Sequence, residues 1–351
     1  MTIAGLQGNW SQERIVLALA AVLFVASGIA LPGFLETANL ITIVRSVSVL
    51  GLLAVGMAIV IIGRGFDLAQ GWAAYLKREV EGWGGVFETR DPNWSIEAGA
   101  QAITDLINSD PHPDVLVVHA PDLNSYVKLF KKAQEKGIYV ILIDNPANFA
   151  ADAFIGSDWN RLGQLEAEAA VKACGDNSSK QIGLVQGDQV NSSSLYQYAG
   201  IMKVLEKYPG FKVVAKPDSN WDATTARNVT ATMLQQHPDI CAIIDFWDGD
   251  ATGTSAAIRD AGKEGKISLV TTGGGEKVDC DKLESGEFTA VVMTELERQS
   301  GDMNAIIKFL LQSGQPAGTS ATYVYTLEQA YTKAGIKPGT CWDVKALQAA
   351  K

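Results

Sequence analysis

The sequence predicts an α/β protein of doubly wound parallel-sheet lobes, preceded by one or two apolar helices of membrane type. From residue 71 onward, short apolar runs of strand length alternate with stretches of helical period, the pattern of parallel sheets covered by helices on both faces. The 351 residues suffice for two compact lobes of ordinary size and one further segment. That further segment is visible as two uncharged apolar runs within the first seventy residues.

The first run is IVLALAAVLFVASGIAL (15–31), closed by Pro32, and the second is VSVLGLLAVGMAIVII (47–62). Each is slightly short of the roughly 20 residues that span a bilayer. A cleavable signal peptide would show a single run with a basic start and a small-residue cleavage site, followed by polar sequence. A second apolar run follows here, so two membrane helices are expected. The end of that run, AIVIIG (58–63), is also branched, of strand length, and followed by a loop and a helix at 72–82, so a strand there is the competing expectation. The same residues cannot serve both ends.

Strands are then expected at 85–89, 115–119, 139–143, 154–155, 182–185, 212–215, 242–245, 268–271 and 290–293. Helices are expected among other places at 95–108, 125–136, 161–173, 194–208, 223–236, 252–261 and 297–312. Right-handed crossovers put the loops after the strands along one edge, where open α/β sheets bind ligands. Those loops carry Arg90, Asp144 and Asn145, Asp158 and Trp159, Trp221, and Trp247 with Asp248. Carboxylates and amides pair with hydroxyl groups, and an indole face packs on the C–H face of a sugar ring. Asp, Asn and Ser after a strand are equally ordinary helix caps and turn formers.

Charge and motifs exclude several classes. Lys and Arg total 29 against 39 Asp and Glu, and the first seventy residues balance Arg14, Arg45 and Arg64 against Glu13, Glu36 and Asp67, so the net charge of −10 belongs to the body. An acidic body argues against nucleic-acid binding. Three histidines, and four cysteines without C-x-x-C spacing, argue against a metal site. If the body is exported, Cys174–Cys241 and Cys280–Cys341 are the expected pairs; four free thiols are the alternative. Gly273-Gly274-Gly275 lacks phosphate-loop spacing, and no G-x-S-x-G elbow is present. No catalysis and no cofactor are expected.

Residues 31–68, with F-x-x-x-x-N-L, A-V-G-M and G-F-D-L, resemble the start of the permease subunit of a ribose-type ABC importer, over about residues 1–70. Two spans cannot build a translocation path, so the segment is expected to anchor. The body resembles the type I periplasmic sugar-binding proteins, the ribose-binding group in particular, through P-D-V-L-V-V-H-A-P-D (113–122), G-I-Y-V-I-L-I-D-N-P (137–146), I-G-S-D-W-N-R-L-G (155–163), H-P-D-I-C-A-I-I-D-F-W-D (237–248) and A-I-R-D-A-G (257–262). The resemblance implies an amino-terminal lobe of 71–157 with about 295–324, and a carboxy-terminal lobe of 158–294 with about 325–351, joined near Ser157, Thr294 and Tyr325. It puts a ring-hydroxyl ligand at Asp144 with Asn145 beside it, a stacking aromatic at Trp221, the polar pair after a strand at Trp247 and Asp248, and the family's basic helix residue near Gln197. Phe66 and Asp67 would come to the mouth if 58–63 supplies the missing strand. Implied partners are a monosaccharide or polyol, ABC permease and ATPase subunits, and the membrane, with the body in the periplasm of a bacterial envelope. The alternatives are a membrane-tethered ligand sensor and a deletion product without function.

Overall fold

The computed structural model describes residues 58–62, 68–92 and 95–343, together with Ser27, Ile29, Ala30 and Phe34. The chain divides into two units, Met1–Val55 and Gly56–Lys351, and all the elements below belong to the second. The first apolar run apart from those isolated positions, the second run as far as residue 57, and the expected mouth residues Phe66 and Asp67 lie outside the described residues. Among the described residues no helix is long and apolar enough to cross a membrane.

Strand β1 is Ala58–Ile62, followed by α1 (Leu68–Gly82), β2 (Val86–Arg90), α2 (Ile96–Asn108), β3 (Val115–Val118), α3 (Val127–Glu135), β4 (Tyr139–Ile143) and β5 (Ala153–Ser157). Then come α4 (Trp159–Cys174), β6 (Gln181–Val185), α5 (Ser192–Leu205), β7 (Lys212–Ala215), α6 (Ala223–Gln236), β8 (Ala242–Asp245), α7 (Asp248–Asp260), β9 (Ser268–Gly273), α8 (Lys277–Ser285) and β10 (Ala290–Met293). Helix α9 (Leu296–Ser313), β11 (Thr322–Thr326), β12 (Gln329–Tyr331) and a short 3-10 turn (Lys333–Gly335) follow.

These strands form two six-stranded sheets, ordered β11-β5-β4-β3-β1-β2 and β12-β10-β9-β8-β6-β7. All neighbours run parallel except β10 and β12. Residues 58–62 pair with both β2 and β3, so this part of the second apolar run is a strand and not the end of a membrane helix. The physical reason is local: a branched A-I-V-I-I run fits a pleated sheet buried on both faces. Each sheet with its helices makes one lobe. The chain crosses between lobes after Ser157, between Met293 and Leu296, and between Thr326 and Gln329.

Alternation along the strands builds a core on each face. In β3, Val115 and Val117 join a cluster with Trp72, Leu76 and Val80 of α1 and Leu296, Met303 and Ile307 of α9, while Leu116 and Val118 join Ile103, Phe130 and Phe154 on the other face. In the second lobe Ile243 and Leu269 face one cluster, and Leu184, Ile244 and Val270 the other. Helix α9 follows β10 of the second sheet and packs on the first. The four cysteines form Cys174–Cys241 and Cys280–Cys341, both within the second lobe.

Candidate functional site

A cleft lies at the carboxyl ends of the parallel strands of both sheets, enclosing about 710 Å³ with its open mouth included. From the first lobe its walls come from Trp72 of α1, His119 after β3, and Asp144 and Asn145 after β4, with Trp159, at the start of α4, lying just past the first crossing. The second lobe contributes Asn191 and Ser193 at the start of α5, Trp221 before α6, Phe246 and Trp247 after β8, and Thr272 and Gly273 of β9, with Thr294 at the crossing.

The first lobe supplies the polar wall. Asp144 is buried with a φ of 64°, a left-handed conformation that a residue with a side chain adopts at a cost of order 1 kcal/mol or more. Its amide donates to Ile155 O at 2.8 Å, and its carbonyl accepts the Trp159 Nε1–H at 2.8 Å. These bonds hold the turn so that the carboxylate faces the cleft, 3.3 Å from His119 Nε2. Asn145 donates through Nδ2 to Ala120 O at 3.0 Å, whereas its Oδ1 is buried without a hydrogen-bond partner among the described residues. Thr294 Oγ1 is in the same condition, and both residues line the cleft. Buried polar atoms of this kind cost about 1–3 kcal/mol each unless a partner satisfies them, and a hydroxyl-bearing ligand is one.

The second lobe supplies the aromatic wall. Trp221 also has a left-handed backbone, with φ 57°, and its indole covers Gly187: a Cβ there would stand 2.0 Å from the ring. Trp247 meets it edge to face at 6.4 Å between ring centroids. At the cleft, hydrogen bonds join the two lobes from Asn191 Nδ2 to Pro121 O at 3.0 Å and from Trp159 Nε1 to Asp144 O at 2.8 Å.

Of the expected site residues, Asp144, Asn145, Trp221 and Trp247 come together at the cleft. Arg90 does not: it ends β2, the edge strand, and its exposed guanidinium pairs with Glu88. Gln197 is fully buried between α5 and α4, donating to Glu166 at 2.8 Å, because the helix turn at that position faces inward. Asp248 is buried behind Gly273, where a Cβ would meet its carboxylate oxygen at 2.5 Å, so it supports the floor of the cleft without lining it. Sequence reasoning missed Trp72, Asn191, Ser193, Phe246 and Thr294 as cleft residues, whereas His119 is where its place at the end of a strand allows it to reach the cleft. The D-W pair after β5 had signalled Trp159 only as a loop residue.

The model of the family described as the periplasmic binding protein domain matches residues 58–316. The chain belongs to that family. Its members are binding proteins and not enzymes. Curated relatives within it include the D-ribose/D-allose-binding protein of Pseudomonas aeruginosa, 28% identical over 45% of this chain and 50% of that protein. The xylitol-binding protein of Mycolicibacterium smegmatis is 25% identical over 66% of this chain and 65% of its own length. The chain spans about half the length of the first curated relatives it matches. Among solved structures, a carbohydrate transporter solute-binding protein from Agrobacterium radiobacter in complex with D-arabinose superposes with a TM-score of 0.72, at 20% identity, over 83% of this chain and 98% of that one. One from Actinobacillus succinogenes with bound D-allose gives 0.71, at 19% identity, over 80% and 98%. At these identities the likeness to the solved structures establishes the binding-protein fold.

Proposed function

We propose that the chain reversibly binds a small uncharged sugar or polyol between its two lobes, as the solute-binding component of an ABC importer whose permease and ATPase are separate chains. The observation that carries this reading is a cleft that sets the buried polar groups of His119, Asp144 and Asn145 opposite the aromatic faces of Trp221, Phe246 and Trp247. Asp144 and Asn145 are assigned the ring hydroxyls, and Trp221 and Trp247 the apolar ring face. Names such as D-ribose/D-allose-binding and xylitol-binding among the relatives support the ligand class. Capture proceeds by hinge closure about the three crossings, driven by differential affinity for the shut state, with no ATP consumed in this chain. The uncharged run at 15–31 is assigned to membrane anchoring; recovery of the full chain in the soluble fraction after alkaline extraction would remove that assignment.

The test is a thermal-shift screen against pentoses, hexoses, polyols and cyclitols. A ligand at about 100 times its Kd stabilises by about 2.7 kcal/mol, which is a rise of roughly 5–10 °C for a body of this size. At least one polyhydroxylated compound is expected to give it. No shift with any of them would sink the proposal.

A further inference from the structure

Beneath the aromatic wall lie three buried carboxyl groups that do not touch the cleft: Glu166 on α4, Asp245 at the end of β8 and Asp250 in the first turn of α7, with 0%, 0% and 1% of their surface exposed. Two of them are wired to the loops that carry the tryptophans. Asp245 accepts the Trp247 amide at 3.3 Å and the Thr254 hydroxyl at 2.6 Å. Asp250 is hydrogen-bonded to the Ser219 hydroxyl, whose oxygen accepts the Trp221 amide at 3.2 Å and lies 3.0 Å from Gln186 O.

Counting protons fixes the state of Asp250. Ser219 has one hydroxyl proton. The Gln186 carbonyl can only accept, and the Trp221 amide can only donate. All three contacts of Ser219 are hydrogen bonds together only when the Asp250 carboxyl supplies a proton of its own. An ionised Asp250 would take the Ser219 proton and release Gln186, loosening the turn that holds Trp221 in its left-handed conformation.

We propose that Asp250, as a neutral carboxylic acid, and Asp245 beside it are positioning residues for the two tryptophans of the cleft, so that the aromatic wall is set while Asp250 keeps its proton and loosens when it is lost. The surroundings agree. The charges acting on the pair are Glu166, Asp222 at the cap of α6 and each other, all acidic, while α5, α6 and α7 contribute the neutral Gln197, Thr230 and Thr254. Asp248, in the same turn of α7, faces Gly273 together with Asp279. Burial above all, and then the Asp250 charge, push Asp245 well above the usual carboxylate range. Burial raises Asp250 to about 7, with the Ser219 hydrogen bond opposing and Asp222 adding. Since the folded value lies above the ordinary 3.8, the stability contributed by the neutral form is complete below about pH 4 and is lost as pH rises through about 7.

The inference concerns the same cleft as the proposed sugar site, but its test needs no ligand, so the two can fail separately. Near-ultraviolet circular dichroism and tryptophan fluorescence of the full chain are followed from pH 5 to 9. The native chain is expected to change its indole signal with a midpoint near 7. Asp250→Asn, whose carboxamide can donate to Ser219 at every pH, is expected to hold the low-pH signal throughout, and Trp221→Phe to remove most of the change. Ser219→Ala, which cuts the relay and leaves the carboxyl, is expected to abolish the spectral transition, and it carries the test if Asp250→Asn does not fold. A flat native profile, a transition unchanged in Asp250→Asn or Trp221→Phe, or one of native midpoint in Ser219→Ala would overturn the proposal.

Discussion

The two lobes share one plan and differ in what closes it. The first obtains an interior strand from residues 58–62, the tail of a run that reads as membrane sequence, and carries no disulfide among its described residues. The second is stapled twice and encloses its own buried carboxyl pair. The cleft differs too: the first side brings the carboxylate of Asp144 beside a single tryptophan, Trp72, and the second brings Trp221, Phe246 and Trp247 together with the neutral Asn191, Ser193 and Thr272. One lobe thus depends on backbone pairing from residues 58–62, and the other on covalent and hydrogen-bonded links between elements far apart in sequence.

The contrast can be broken most severely at β1. Val60→Pro removes an amide from a strand paired on both sides and leaves a partner carbonyl unsatisfied at about 1–3 kcal/mol, to which the ring's clash with the ladder adds. Amide exchange should rise throughout β2 and β3, with β6 and β8 still protected; equal exposure of both sheets would show that the lobes do not differ in this way. Next comes Cys174→Ala with Cys241→Ala, which opens a loop of 67 residues. The chain-entropy account puts its closure at about 4 kcal/mol, and urea unfolding followed in the second lobe should lose stability of that order.

Within the cleft, Asp144→Ala is expected to weaken whichever sugar raises the melting temperature by about 100-fold. A hydrogen-bonded charge is worth about 1.5–3 kcal/mol. Trp221→Ala, which removes only stacking worth about 1 kcal/mol, should cost roughly tenfold or less. Titration calorimetry with both variants ranks the polar wall against the aromatic one, and the reverse order would invert their roles. The smallest effect is expected from Asn191→Ala. Its bond to Pro121 O is one neutral hydrogen bond across the lobes, worth about 1 kcal/mol, so release measured by stopped flow should quicken about fivefold.

Much of this architecture could be read from the chain. The strand and helix periods placed β2 to β10 to within a few residues, and the branched run at 58–63 announced itself as a strand. Two short strands went unread. Neither T-Y-V-Y-T (β11) nor Q-A-Y (β12) has a continuous apolar run, because Tyr323 and Tyr325 face outward from the sheet edge. In the cleft, Asp144 and Trp221 were legible because each follows a strand. Gln197 and Arg90 were misplaced, because a helix turn and an edge position decide where a side chain goes after the strand order has been set.

By itself, the sequence determined which segments are strands or helices and at which edge the loops gather, because periodicity and turn chemistry act over a few residues. Only the tertiary structure decided that Trp72 donates to Gln299 across 227 residues, that His119 meets Asp144, and that Asp250 reaches Ser219 under Trp221. Contacts of that kind follow from sheet order and helix packing, which bring together side chains whose separation along the chain carries no trace of their distance in space.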